Sequence, residues 1–267
     1  MHLQFAARST LVLVVVAQLV GCTAAPVEWT GERSEHVSSP IVTISTSGAL
    51  VDDSLARMAS RLTPPSVLCA GSLRLARSGG RLFAVWWSPR ADSTATLASS
   101  HSSDGGATWS GMVPVDTTDH GVTGCNRAPA AIAADSASGY VHVAYAMIAA
   151  EGPGLFFAHS MDGGTTFHAP VAIVYGERLG HTSVAASGDR VVVAFEDPNS
   201  RTPRIGLALS RTMGHIFEDR VLPLSSDNGA ATLPLVAVVE RRITVAWQER
   251  EAAGGGATFR IRTGTFP

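Results

Sequence analysis

The sequence predicts an all-β fold built from repeated four-stranded antiparallel sheets, the composition of a β-propeller. Two features recur along the 267-residue chain. One is a glycine-containing turn, present in three copies. The other is a short apolar run that ends in an aromatic residue, present in four copies. Recurrence at a roughly fixed period indicates a repeat architecture, in which each unit is one supersecondary element.

The repeated turn reads SSDGGATW at residues 102–109, SMDGGTTF at 160–167 and SRTMGHIF at 210–217. Its copies are 58 and 50 residues apart, counted from residue 104 to 162 and from 162 to 212. The side chains of Asp104 and Asp162 can accept hydrogen bonds from backbone N–H groups just ahead of them, and the glycines supply positive φ. A structural role is therefore predicted for both carboxylates. Calcium binding is not predicted, because the turns lack further oxygen ligands.

The four apolar runs end in Trp86, Tyr145, Phe195 and Trp247, spaced 59, 50 and 52 residues apart. Each run follows a hairpin-turn signal and precedes a polar loop and a third strand. In the first three units the repeated turn and a fourth strand come next. Four such units account for the chain after its leader, so four blades are predicted, with five or six as alternatives. We expect the four aromatic rings to lie in the apolar faces between blades.

The last unit ends at Pro267 after its third strand, which would leave an unpaired sheet edge. Residues 39–46 resemble the fourth strands of the other units. The sequence therefore predicts that this N-terminal strand closes the ring by completing the last blade, so that the domain spans residues 39–267. A short helix is predicted over residues 51–61.

The pattern Ser-x-Asp-x-Gly-x-Thr-Trp resembles the Asp-box of the sialidase-like, or BNR-repeat, β-propellers. The resemblance implies that each box is structural and joins the third and fourth strands of a blade. Sialidases of this family usually have six blades, so a four-bladed ring is a departure. The box residues that the resemblance identifies are Asp104, Gly106, Trp109, Asp162, Gly164 and Phe167.

Residues 1–22 are predicted to be a lipoprotein signal peptide. Arg8 precedes an apolar stretch at 11–20, which is shorter than the ~20 residues that span a bilayer. Leu-Val-Gly-Cys at 19–22 resembles the bacterial lipobox, which implies lipidation of Cys22 and a protein anchored in the bacterial cell envelope, facing the periplasm or the exterior. Residues 23–38 would be a flexible tether. The alternative is an ordinary signal peptide.

The remaining cysteines, Cys69 and Cys125, fall at similar places in consecutive repeats, where the innermost strands begin. Inner strands of neighbouring blades lie side by side, so a Cys69–Cys125 disulfide is predicted in an oxidising compartment; two free thiols are the alternative. No metal site and no cofactor are predicted, because paired Cys or His spacings are missing. The net charge of −2 gives no indication of a nucleic-acid partner.

Strand direction predicts where a ligand binds. The boxes share one face with the turns between first and second strands. The other face, here called the loop face, receives the longer loops between second and third strands and the connections between blades, and we expect the ligand there, over the channel mouth.

The resemblance to sialidases implies a catalytic alternative on the loop face, with an arginine cluster, a tyrosine nucleophile, a glutamate and an acid/base aspartate. The catalytic candidates are Tyr175, Glu177 and Asp119, and the ligand-binding candidates are Arg127, Arg178, Arg201, His181 and Glu196. However, residues 126–129 read NRAP, which departs at two of four positions from the family's Phe/Tyr-Arg-Ile-Pro and follows the first box instead of preceding it.

The preferred interpretation is a non-catalytic propeller that binds a glycan or an envelope protein. The alternatives are an exo-sialidase-type glycoside hydrolase and a structural scaffold in envelope assembly.

Overall fold

The structure is a computed structural model that describes residues 25–36, 64, 66–225, 229–251 and 257–266. Apart from one short 3-10 helix (Ala70–Ser72), the regular elements of these residues are strands. In chain order they are β1 (Glu28–His36), β2 (Arg74–Ser78), β3 (Arg81–Pro89), β4 (Ala95–Ser102), β5 (Val113–Asp116), β6 (Ala131–Ala134), β7 (Val141–Ala149), β8 (Gly152–Ser160), β9 (Val171–Tyr175), β10 (Thr182–Ser187), β11 (Arg190–Glu196), β12 (Ile205–Ser210), β13 (Asp219–Pro223), β14 (Gly229–Val239), β15 (Arg242–Glu251) and β16 (Ala257–Thr265).

The strands form four antiparallel sheets of four strands each, which confirms the predicted all-β propeller with four blades. Blade 1 is β2-β3-β4-β5, blade 2 is β6-β7-β8-β9, blade 3 is β10-β11-β12-β13 and blade 4 is β14-β15-β16-β1. The inner strands β2, β6, β10 and β14 pack in that order. None of the described helical residues forms a helix long and apolar enough to cross a membrane.

The last blade is closed by a strand nearer the N-terminus than predicted. Strand β1 pairs antiparallel with β16, from Glu28 opposite Thr265 to His36 opposite Thr258. The assignments of residues 39–46 to the closing strand and of 23–38 to a tether were therefore wrong. The signal peptide with Cys22, the segment 39–46 and the helix expected over 51–61 all lie outside the described residues.

A polar segment can take this outer position because backbone pairing and charge hold it. The Arg262 guanidinium lies 4.5 Å from the centre of the Trp29 ring, and Glu32 forms ion pairs with Arg260 and Arg262. Only Val27, just before the strand, is fully buried against the core of the last two blades. An outer strand of this kind carries little of the apolar periodicity that identifies strands in sequence.

The core consists of apolar clusters shared by neighbouring blades. Tyr145 lies in the cluster between blades 1 and 2, Phe195 between blades 2 and 3, and Trp247 between blades 3 and 4. Trp86 belongs to a smaller cluster with Ala84 and Ala98 on the far side of blade 1. All four repeated aromatics are at most 2% exposed, which confirms them as core residues. In the described part of the chain no apolar cluster joins blade 4 to blade 1.

The first two boxes join the third and fourth strands of blades 1 and 2, as the resemblance implies. In the first, Ser102 Oγ accepts the Gly106 N–H (2.9 Å), and Asp104 accepts the N–H and the hydroxyl of Thr108 (2.9 and 2.6 Å). In the third, Ser210 Oγ accepts the Gly214 N–H at 3.0 Å. The serine contact is thus retained where the aspartate is missing.

Cys69 and Cys125 form the predicted disulfide, with their Cα atoms 5.3 Å apart. Cys69 lies just before β2 and Cys125 before β6, so the bond joins the starts of two neighbouring inner strands.

Candidate functional site at the channel mouth

A cavity of about 200 Å³ opens on the loop face, where the inner strands begin. Its walls include Arg74 and Leu75 of β2, the segment 129–132 that leads into β6, the segment 181–184 at the start of β10, and Leu235 of β14. All four blades thus contribute residues of their inner strands to one concave surface. This cavity lies at the channel mouth, where the sequence predicts a ligand.

Arg127 and Asp119 form a buried ion pair in the connection that leads to β6. Arg127 Nη2 lies 2.7 Å from Asp119 Oδ2, and the two side chains are only 7% and 1% exposed. Asp119 also accepts the N–H groups of Ala95 and Gly121, and the guanidinium lies 5.5 Å from the centre of the Trp87 ring. Breaking such a pair leaves an uncompensated buried charge. The arrangement therefore holds the connection between blades 1 and 2 and leaves Arg127 unsuited to capture a ligand carboxylate.

His181 and Glu196 meet at the edge of the cavity. His181 Nδ1 is 3.2 Å from Glu196 Oε1, and the same oxygen accepts the Leu233 N–H at 2.9 Å. A side chain at Gly180 would overlap the Glu196 carboxylate. Glu196 is thereby fixed between blades 3 and 4, whereas the His181 side chain is 51% exposed and faces solvent.

The guanidinium groups of Arg178 and Arg127 have different partners. Arg178 donates to the backbone carbonyl oxygens of Ser200 (3.2 Å) and Arg201. Arg201 contributes its carbonyl oxygen to that contact. The Arg178 guanidinium therefore holds the loop after β11, while that of Arg127 is held at Asp119.

Tyr175 lies at the end of β9, the outer strand of blade 2. The ring is 45% exposed, and it contacts Phe156 edge-on with a centroid separation of 5.8 Å. Strand β9 is three strands away from the inner strand β6, which corresponds to about 14 Å at the usual spacing. Glu177 is exposed in the connection that follows. The contacts of Tyr175 are with Phe156 and Asn199, whereas Asp119 is engaged by Arg127, so no described contact joins the two candidates.

A different tyrosine is paired with a carboxylate. Tyr145 Oη donates to Asp116 Oδ2 at 2.5 Å, and both residues are buried. Burial and then the negative charge of Asp116 raise the pKa of Tyr145 well above its ordinary value. The phenol stays protonated and enclosed, which makes it a tie between blades and not a nucleophile. Sequence spacing gave no signal for this pair, since the residues belong to different blades.

Another grouping escaped prediction for the same reason. On the face that carries the boxes, His159, His168 and His215 lie close together although they are spread over 57 positions (159 to 215, inclusive).

No protein-family model matches the chain, and no curated protein matches it. Among solved structures, a protein of unknown function from Dyadobacter fermentans is 17% identical with a TM-score of 0.53, over 72% of this chain and 52% of that one. The Hadza microbial sialidase Hz136 is 20% identical with a TM-score of 0.49, over 70% of this chain and 43% of that one. The chain thus spans about half the length of these two structures. The likeness to the Dyadobacter protein supports the propeller fold alone.

Proposed function

We propose that this protein is an envelope-anchored, sialidase-like propeller that binds a glycan at its channel mouth without cleaving it. The observation that carries the proposal is the ion pair between Arg127 and Asp119. It occupies one candidate ligand-binding arginine and the candidate acid/base together. Tyr175 lies on the outer strand β9. Among the residues that the structure describes, this placement and the engaged Asp119 argue against a sialidase-type reaction.

The cavity itself favours binding of a small polar unit. At about 200 Å³ it is smaller than the roughly 300–1,000 Å³ of pockets that enclose a drug-sized ligand. It offers apolar surface from Leu75 and Leu235 together with the exposed Arg74 and His181. One sugar ring, or the terminal residue of a glycan, fits a site of this size and mixed polarity. An extended side chain of an envelope protein is the other occupant of similar dimensions.

A glycan array probed with the labelled full chain tests the proposal. We expect binding to a defined set of glycans and its loss in Arg74→Ala and His181→Ala. Arg77→Ala is the matched control, because Arg77 is an equally exposed arginine at the other end of β2. Binding that survives both cavity substitutions, or that Arg77→Ala removes equally, would contradict the assignment of the channel mouth.

The hydrolase alternative is tested in parallel with a fluorogenic sialoside. We expect no release of fluorophore. Release that Tyr175→Phe abolishes would establish the exo-sialidase instead. If neither binding nor release is found, the scaffold role in envelope assembly is favoured.

The proposed anchor depends on the lipobox resemblance at residues 19–22. Cells that express the full chain and are labelled with a radioactive fatty acid should yield a labelled protein, and Cys22→Ala should abolish the label. A processed but unlabelled protein would indicate an ordinary signal peptide.

A further inference from the structure

Three histidine rings meet at the boundary between blades 2 and 3, on the face that carries the boxes. His159 is the penultimate residue of β8, His168 directly follows the second box, and His215 lies inside the third. One ligand nitrogen from each ring lies within 4.8 Å of the other two. The centroid of the His159 ring is 4.7 Å from that of His168 and 4.5 Å from that of His215.

Backbone contacts of the fold place the three histidine rings together. The His168 N–H donates to the His159 carbonyl oxygen at 2.9 Å, which holds the two residues opposite each other. Gly214, of the third box, lies so close to Phe157 that a side chain there would overlap the ring. The next residue, His215, is thereby carried over the end of β8. The cluster therefore arises from backbone pairing in one blade and close packing of the next.

The buried member of the cluster is held and lacks a partner. His159 is only 4% exposed, and its Nε2 has no hydrogen-bond partner among the described residues. The Tyr140 ring stacks on it, with a centroid separation of 5.8 Å and an interplanar angle of 8°. A buried nitrogen without a protein partner is available to a ligand, and at His159 two further imidazoles lie beside it.

We propose that His159, His168 and His215 bind one divalent late transition-metal ion, with zinc as the expected physiological ion. Three imidazoles without a carboxylate suit zinc, nickel or copper, and they do not suit calcium or magnesium, which take oxygen ligands. A tetrahedral zinc site with Zn–N bonds of 2.0–2.1 Å needs nitrogens about 3.4 Å apart. The three ligand nitrogens now lie within 4.8 Å of one another. Rotation of the exposed rings of His168 and His215 toward His159 would bring them to the shorter separation.

The state of His159 agrees with this role. Its burial, followed by the neighbouring His215 and His168, lowers the pKa of His159 to about 4. The ring is therefore neutral at pH 7, which is the form that ligates metal. Three protein ligands leave a fourth position open to water or another group.

The ion would compensate for the incomplete third box. That box has Thr212 in place of the aspartate. The carboxylate that accepts two groups of Thr108 in the first box is thus replaced by an uncharged hydroxyl, which accepts the Ile216 N–H (2.9 Å) and contacts Ser210 Oγ. A metal that joins His215 to His159 and His168 would fasten the third box to blade 2. The site thus has a structural consequence that is independent of glycan binding.

The boundary between blades 1 and 2 provides an internal comparison for the histidine cluster. His101 holds in blade 1 the position of His159, and an added side-chain carbon at Gly164 of the second box would lie 3.9 Å from His101 Nδ1. The positions equivalent to His168 and His215 are Ser110 and Thr165. The geometry is therefore repeated there without the three nitrogen ligands.

Isothermal titration of the full chain with zinc chloride tests the proposal, using protein without a polyhistidine tag, stripped with a chelator and kept in mild detergent. We expect one ion per chain. His168→Gln and His215→Gln, which replace exposed rings, should each weaken binding at least tenfold, while His101→Gln should leave it unchanged. Wild-type protein should also unfold at a higher temperature with zinc than without, and the double variant His168→Gln/His215→Gln should lose that shift.

Two results would overturn the proposal. One is the lack of any stoichiometric zinc binding by the wild-type chain. The other is undiminished binding by the double variant, which would place the ion at other residues. Circular dichroism of each variant checks that the fold is retained, which is the expected result because His168 and His215 are exposed.

Discussion

Tyr145 Oη donates a 2.5 Å hydrogen bond to Asp116 Oδ2 across the boundary between blades 1 and 2, where both residues are buried. Asp116 Oδ1 is used locally, accepting the N–H and the hydroxyl of Thr118 at 2.7 Å each. The phenol is therefore the donor that satisfies the second carboxylate oxygen. This buried contact joins the end of blade 1 to blade 2.

Tyr145→Phe should lower the free energy of unfolding by roughly 1.5–3 kcal/mol, because it removes a hydrogen bond to a charged group and leaves a buried oxygen unpaired. Urea denaturation followed by tryptophan fluorescence measures the change. Tyr175→Phe removes the same hydroxyl from an exposed ring and should have little effect. A loss for Tyr145→Phe no larger than for Tyr175→Phe would mean that water replaces the phenol.

The carboxylate of the first box should make the free energy of unfolding fall as the pH becomes acidic. The hydrogen bond from the Thr108 hydroxyl, followed by those from the Thr108 N–H and Ser102, lowers the pKa of Asp104 to about 2 from 3.8. A group whose pKa is lower in the folded state stabilises that state above its unfolded pKa and loses the contribution as pH falls through the folded value. The loss is therefore expected between pH 4 and pH 2.

Asp104→Asn should flatten the fall of the melting temperature over this range and lower the melting temperature at neutral pH. Calorimetric scans at several pH values measure both effects. Glu151→Gln, at the exposed turn between β7 and β8, is the control for removing a carboxylate. An unchanged acid profile in Asp104→Asn would show that the box carboxylate does not contribute to the titration.

Removal of the disulfide should lower the stability of the protein. Cys69 and Cys125 are 56 residues apart in sequence, so their bond restricts a long loop in the unfolded chain. The double substitution Cys69→Ser/Cys125→Ser should destabilise the protein by roughly 2–4 kcal/mol. Chemical denaturation of the oxidised wild type, the reduced wild type and the double variant measures this, and the last two should agree. Equal stability of all three proteins would contradict the expected constraint.

The features that the sequence revealed are those that recur from one blade to the next. The boxes and the aromatics at 86, 145, 195 and 247 recur because every blade needs the same turn and the same core position. The disulfide could be predicted because Cys69 and Cys125 occupy equivalent places in adjacent repeats. What recurs locally can be recognised without knowing how the blades face each other.

The features that sequence missed depend on contacts between blades or on an edge strand. Asp119 was predicted as an acid/base and Arg127 as a ligand group, whereas their side chains pair with each other, because the connection after β5 folds back beside the start of β6. Strand β1 escaped prediction because its residues are mostly exposed and carry charge. Neither relationship leaves a periodic pattern in the sequence.

The third box has a methionine in a backbone conformation that the other two boxes give to glycine. Met213 has φ +57°, where the other boxes have Gly105 at +72° and Gly163 at +68°. A side chain in this left-handed region meets the backbone, at a cost that glycine avoids. Glycine also gains freedom in the unfolded chain, which offsets part of that benefit.

Met213→Gly should therefore raise the free energy of unfolding by about 0.5–1 kcal/mol. Gly105→Ala, the reverse change in the first box, where a side chain would meet no neighbouring atom, should destabilise the protein, since only its positive φ opposes the substitution. Paired urea titrations compare the two variants with the wild type. If Met213→Gly is destabilising while Gly105→Ala behaves as expected, the contacts of the Met213 side chain contribute more than its backbone conformation costs. The third box would then be stabilised by packing, whereas the first box depends on its carboxylate.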